Sequence, residues 1–388
     1  MHSESGFKRK PRHFWRRCVL GIFMLTIAAS SVAIAQEKSG EQTSYSVLAR
    51  WATDNTSLRP VTYDDDVLYV AGDISVEAWD TRTGTRIWRH TLDDGADFRP
   101  RLTGNAVIVT GRKFIIALAR HTGDVLWSLY PEQNPNDPFE PVATPLVHDE
   151  RVFLGVGPMM TALGEDGAVV WERATHQRKG IWYAPTVFEG NTILFGPGDG
   201  ILYALDYDTG AVKWTLDNAK KWQYLRQLHV SDKVLVAGGY KDNLFGVDLT
   251  TGTLKWDWYS GNFINSHLVH EGAAYLWSPT GWVYCLDVES GKVNWRTKSD
   301  YFPNKKRTKR PWAPVLAELV ARGTALYILD MQNILHILDT QTGKERRSIS
   351  FHERLRPFIV PAPKSPRLFM GSAKGEILYI ELNEESSK

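Results

Sequence analysis

The stretch Ala204–Trp214, ALDYDTGAVKW, decides the fold. It begins with the alternation of a strand, breaks at an Asp-Thr-Gly turn and ends on an indole. Nearly the same segment recurs along the chain. AWDTRTGTRIW ends at Trp88, ALARHTGDVLW at Trp127, ALGEDGAVVW at Trp171, GVDLTTGTLKW at Trp256 and CLDVESGKVNW at Trp295. A seventh copy, ILDTQTGKERR, ends at Arg347 instead of Trp. The turn glycines Gly84, Gly123, Gly167, Gly210, Gly252, Gly291 and Gly343 are spaced by 39, 44, 43, 42, 39 and 52 residues. Spacing of that kind means loops of varying length on a constant unit.

Within the fourth unit, APTVFEG, NTILFG, GILYALD and AVKWTL read as four short strands separated by Gly, Asn and Asp turns. Four strands per 40–45 residues is the signature of a β-propeller blade. The Gly supplies the positive φ of the turn between third and fourth strands. Asp80, Asp206, Asp248, Asp287 and Asp339 are placed to accept backbone N–H bonds in that turn. The second and third units carry Ala119 and Gly164 there. The bulky indoles Trp51, Trp88, Trp127, Trp171, Trp214, Trp256 and Trp295 are assigned to the seams where blades dock.

Seven turns give seven blades. RPFIVPA and RLFMGSAKGEILYIEL supply three strands of an eighth, without turn or Trp. SVLARWATD, with Trp51 standing 37 residues before Trp88, is the missing strand at the other end of the chain. The expectation is all-β: an eight-bladed β-propeller of four-stranded antiparallel blades over 45–382, its last blade closed by the N-terminal strand. A flexible segment 36–44 precedes it and a tail 383–388 follows.

The first 35 residues read separately. Lys8, Arg9, Lys10, Arg12, Arg16 and Arg17 precede the mostly apolar run Val19–Val32 and the small-x-small site Ala33-Ile34-Ala35. That is a secretory signal peptide cleaved after Ala35, which implies an exported, periplasmic protein. The chain has 46 Lys+Arg against 44 Asp+Glu; the leader holds six of the former and one of the latter, leaving 40 against 43. The basic balance therefore belongs to the leader and points to no nucleic-acid partner. Cys285 is the one cysteine left after cleavage, so no intramolecular disulfide forms. No apolar run after the leader reaches membrane-spanning length.

The pattern A-x-D-x-x-T-G-x-x-x-W, complete at Ala78–Trp88 and Ala204–Trp214, resembles the repeat of the pyrroloquinoline-quinone-type eight-bladed propellers. The resemblance covers roughly residues 45–382 and implies one of two activities. The first is that of the BamB-type outer-membrane assembly scaffolds, non-catalytic and bound to protein partners in the cell envelope. The second is that of compact quinoprotein alcohol or sugar dehydrogenases, which hold pyrroloquinoline quinone with calcium in the channel. The chain lacks the adjacent-cysteine disulfide and the long inter-blade insertions of the alcohol dehydrogenases, and it lacks a lipoprotein cysteine. The scaffold is the expected function and no cofactor is expected. Were calcium bound, Asp73, Asp199, Asp242 and Asn333 would be its candidate ligands.

The starts of the first strands carry the candidate site. Arg59, Arg99, Arg101, Trp182, Tyr183, Arg226, His267, Trp312 and Arg356 recur there, and radial symmetry would gather them at the channel mouth. Arginines and aromatics around one funnel suit an anionic, planar or carboxylated ligand, or an acidic peptide. The same arginines would also suit hydrogen bonds to neighbouring carbonyls. No HExxH or GxSxG spacing is present, and no catalytic residue is assigned.

Overall fold

Each sequence repeat becomes one antiparallel sheet in the computed structural model, which describes residues 7–8, 44–131, 143–218, 225–239, 243–261, 266–278, 281–298, 317–362 and 365–383. In the fourth blade, Thr186–Phe188, Thr192–Phe195, Ile201–Asp206 and Val212–Asp217 pair in that order, from the inner strand to the outer. The two middle strands are buried almost throughout, while the outer strand alternates between half-buried and exposed residues. Middle strands covered on both faces read as continuous apolar runs, which is what stacking of blade on blade requires.

Eight such sheets form the wheel. In the eighth, Leu355–Pro361, Arg367–Ser372 and Glu376–Leu382 are completed by Tyr45–Ala52. That strand runs antiparallel to Glu376–Leu382, from Tyr45 opposite Leu382 to Ala52 opposite Glu376. The two ends of the chain thus meet inside one blade. A two-residue strand, Phe7–Lys8, adds to the outer edge of the second blade, opposite Pro131 and Tyr130. Among the described residues the only helix is the 3₁₀ turn His176–Arg178, and no helix is long and apolar enough to cross a membrane.

The described core divides into eight apolar clusters, one for each seam between neighbouring blades. The repeated Trp and Gly meet at these seams. Trp88 of blade 1 lies against Gly123 of blade 2, and its Nε1–H donates to the Arg120 carbonyl at 2.7 Å. Gly123 has φ +75°, and a Cβ there would come within 2.6 Å of the Trp88 ring. The residue is therefore glycine for two reasons: the turn needs a left-handed backbone and the indole needs the space. Trp51/Gly84, Trp127/Gly167, Trp171/Gly210, Trp214/Gly252, Trp256/Gly291 and Trp295/Gly343 repeat the pairing. Trp127, Trp171, Trp256 and Trp295 likewise donate to carbonyls of the next blade at 2.7–2.9 Å.

The turn aspartates act as their type predicts. Asp80 Oδ1 accepts from Arg82 and Thr83 N–H, Asp248 Oδ1 from Thr250 and Thr251, and Asp339 Oδ1 from Gln341 and Thr342. Where the sequence lacks this Asp, another residue of the turn takes part: Asp124 pairs with Thr122 in unit two, and Asp166 accepts from Ala168 N–H in unit three. A buried carboxylate, Glu77, ties the closing strand's exit to blade 1. Its oxygens accept from Asp54 N–H at 2.9 Å, the Ser75 hydroxyl at 2.9 Å and Trp79 Nε1–H at 3.0 Å. Each of its bonds offsets part of the cost of burying the charge.

Candidate functional site

The inner strands enclose a channel cavity of about 650 Å³. Its wall comes from blades 1, 2, 3, 4 and 8, including Thr62–Asp64, Arg99–Gly104, Pro145–Val147, Ala184–Pro185 and Val360–Pro361. Two of the arginines expected at the mouth line it. Arg99 stands two residues before Arg101, the first residue of the inner strand of blade 2, and both line the cavity. Arg101 Nε–H donates to the Pro145 carbonyl of blade 3 at 3.2 Å, which fixes the plane of its guanidinium. Arg99 has no hydrogen bond or ion pair among the described residues. Burial lowers the pKa of both; for Arg101 the charge of Arg99 adds to this, down to about 10.

The counter-charge comes from a residue that the repeat pattern does not mark. Glu318, just ahead of the inner strand Val320–Arg322 of blade 7, acts electrostatically on Arg99, Arg101 and His229. It is exposed, and it accepts a hydrogen bond at 3.2 Å from Gln227 Nε2 of blade 5. Gln227 sits at a β-bulge with φ +42°, where the strand register shifts between Arg226 and Leu228. The bulge turns its amide outward from the ladder. Its Oε1 accepts the His267 N–H of blade 6 at 3.0 Å, so one side chain spans three blades.

His267 and His229 meet edge to face, ring centroids 5.0 Å apart. His267 is 2% exposed, and burial followed by the neighbouring His229 pushes its pKa down to about 3. His229 is lowered as well, chiefly by burial. The Nε2 atoms of both rings are buried without a hydrogen-bond partner. The pair is neutral near pH 7 and contributes no charge to the channel.

Arg59, Arg356, Trp182 and Tyr183 are not among the residues lining the cavity. Arg59 Nε–H donates to the Ala96 carbonyl at 2.6 Å and its guanidinium lies 3.7 Å from Asp97. Arg356 donates to the Thr56 carbonyl, and its buried Nε has no partner. Trp182 is 40% exposed in the loop before blade 4, next to half-buried Tyr183. Arg226 opens the inner strand of blade 5 opposite Gly238. Trp312 lies outside the described residues, as do most of the proline-rich loop 131–141 and the basic loop 304–310. Three of the arginines thus hydrogen-bond a backbone carbonyl of a neighbouring segment. Arg120 and Asp64, which also line the cavity, neutralise each other as an ion pair at 2.5 Å.

The family described as outer membrane protein assembly factor BamB matches residues 28–196 and 198–386. The chain belongs to that family. BamB of Yersinia pestis is 25% identical over 314 residues, covering 74% of this chain and 75% of that protein. The quinoprotein alcohol dehydrogenase PedH of Pseudomonas putida is also 25% identical, over 315 residues, but 75% of this chain covers only 47% of it. Among solved structures, BamB from Moraxella catarrhalis superposes with a TM-score of 0.67 at 21% identity, across 89% of this chain and 99% of that one. The quinohemoprotein alcohol dehydrogenase of Comamonas testosteroni gives 0.69 at 14% identity, across 89% and 77%. At such identities these structures speak for the fold alone.

The residues named for a calcium-bound quinone fit that role poorly. Asp73 Oδ1 accepts the Thr56 and Ser57 amides, and Asp199 accepts the Ile201 amide and the Tyr203 hydroxyl. Asn333 Oδ1 accepts the Leu355 amide. Oxygens already held by backbone N–H groups of three different blades are not a shared coordination shell. Asp242 lies outside the described residues. Among the described residues, no group of three or more His, Cys, Asp or Glu is placed to hold a metal ion.

Proposed function

We propose that the protein is exported and serves as a non-catalytic interaction scaffold in outer-membrane protein assembly, in the periplasm. The observation that carries this reading is the extent of the likeness. The family match runs through nearly the whole chain, and the sequence likeness covers 75% of Yersinia pestis BamB against 47% of PedH. The polar residues also support it, since the arginines and acids named above are largely engaged in joining blade to blade. Partners would be taken at exposed blade edges by strand addition. The outer edge of blade 2, which already accepts Phe7–Lys8, is a candidate for such an addition once the leader is removed.

Affinity capture from an envelope extract tests the scaffold. The expected result is recovery of outer-membrane assembly components; their complete absence would overturn the reading. The quinoprotein alternative is favoured by the repeat pattern and by PedH. It predicts quenching of tryptophan fluorescence on adding pyrroloquinoline quinone with calcium, and dye-coupled oxidation of an alcohol. Neither is expected here.

A further inference from the structure

We propose that the channel holds a binding site for a small carboxylate-bearing organic anion, with Arg99 and Arg101 as the recognition pair and Glu318 as an internal stand-in for the ligand. Charge and space define this site, independently of the scaffold role.

Two guanidiniums line one wall of the cavity, and Glu318, outside that lining, is the acid whose charge acts on both. Like charges brought together in a partly desolvated place cost free energy unless an anion joins them. The fold does not relieve the cost by hydrogen bonding, since Arg101 uses one N–H on Pro145 and Arg99 uses none among the described residues. The remaining N–H groups form the planar donor array that carboxylates accept in pairs. Nearby sources of positive charge do not compete. Arg120 is paired with Asp64, and the His229–His267 pair is neutral.

Glu318 identifies the ligand chemistry. It is a carboxylate, its charge acts on both arginines, and among the described residues one neutral hydrogen bond, from Gln227, holds it. An exposed side chain of that length swings aside at small cost, so an incoming carboxylate can take its place. The volume, about 650 Å³, lies in the range of small-molecule sites and is far too small for a folded partner.

Isothermal titration of the purified protein with citrate, and in parallel with glutarate, sulfate and phosphate, tests the site. Saturable citrate or glutarate binding is expected, weakened at least tenfold by Arg101→Gln and by Arg99→Gln. Glu318→Gln should tighten it several-fold, because the internal competitor is gone. This last variant changes an exposed residue and keeps the fold, so it reads the site even if an arginine variant fails to fold. Sulfate or phosphate binding as tightly as citrate would overturn the carboxylate assignment. No saturable heat in either the wild type or Glu318→Gln, or a Glu318→Gln protein that binds citrate more weakly, would overturn the site itself.

Discussion

Seven seams of the wheel are alike and one is not. At seven, an indole from the outer strand of one blade covers the turn glycine of the next. At the seam between blades 7 and 8, Arg347 stands in the indole's place, and its guanidinium donates to the Asn383 carbonyl at 2.5 Å. The reason is topological. The glycine turn joins a third strand to a fourth strand of the same blade, and in blade 8 those strands come from opposite ends of the chain. There is no turn for an indole to cover. What remains of the motif is its hydrogen bond, made by Arg instead of Trp. Apolar packing takes over the rest: this seam's cluster holds 14 buried residues, including Phe351, Leu378 and Ile380, and Tyr45 of the closing strand packs on Phe351 with centroids 4.6 Å apart.

The comparison breaks most severely if the closing strand goes. Removing residues 44–52 takes away both the outer strand of blade 8 and Trp51, and so uncouples two seams at once. The expected outcome is loss of the single cooperative unfolding transition, read by urea titration with circular dichroism. Persistence of one sharp transition at the wild-type midpoint would mean the wheel closes without its latch. Next in size is Trp88→Ala, at a buried seam. It should cost about 3–5 kcal/mol, the usual range for emptying a buried aromatic site. The same change at half-buried Trp295 should cost distinctly less, because less of that indole leaves water on folding. Equal losses would show that the hydrogen bond to the next blade, common to both, outweighs burial.

Much of this was legible in the sequence because a periodic constraint writes itself repeatedly. Gly210 and Trp214 each recur at fixed offsets, so strand number, blade count and closure followed by counting. The sequence also showed that Arg347 departs from the pattern, but not why. The missing turn exists only after the ends of the chain have met. The channel was harder for a related reason. Glu318 and Gln227 stand at the same offset, 25 residues before the turn glycines Gly343 and Gly252, but the residue type at that offset changes from blade to blade, so no repeat marks them, and their meeting depends on the radius of the wheel. The arginines at several first-strand starts were visible; that Arg59, Arg101 and Arg356 would each hydrogen-bond a backbone carbonyl depended on contacts 37 to 300 residues away.

The odd seam can be sharpened by trying to normalise it. Arg347→Ala should cost about 1 kcal/mol, the worth of a partly exposed charged hydrogen bond. Arg347→Trp should recover none of that, although it restores the repeat's consensus. An indole there finds no glycine turn to cover and leaves more apolar surface in water. Chemical denaturation of both variants measures this. A Trp variant more stable than the wild type would mean that the indole's benefit comes from its own blade and not from the neighbour's turn.

Blade 7 should also respond to pH in a way that the indole-capped blades do not. Its third strand carries His336, which is 3% exposed and bonded through Nδ1 to Glu345 of the outer strand at 2.7 Å and through Nε2 to Asp330 at 3.4 Å. Burial alone would lower its pKa, but the hydrogen bonds to Asp330 and Glu345 outweigh it and the net shift is upward. The folded state therefore holds the proton more tightly than the unfolded chain, whose His titrates near about 6.5. The stabilisation is fully present below that value and is lost as pH rises through the folded pKa. In His336→Gln the site carries no proton, so this part of the pH dependence should vanish, and the difference in stability from wild type should shrink between pH 6 and pH 9. A difference that stays constant across that interval would show that His336 acts on blade 7 by shape and not by charge.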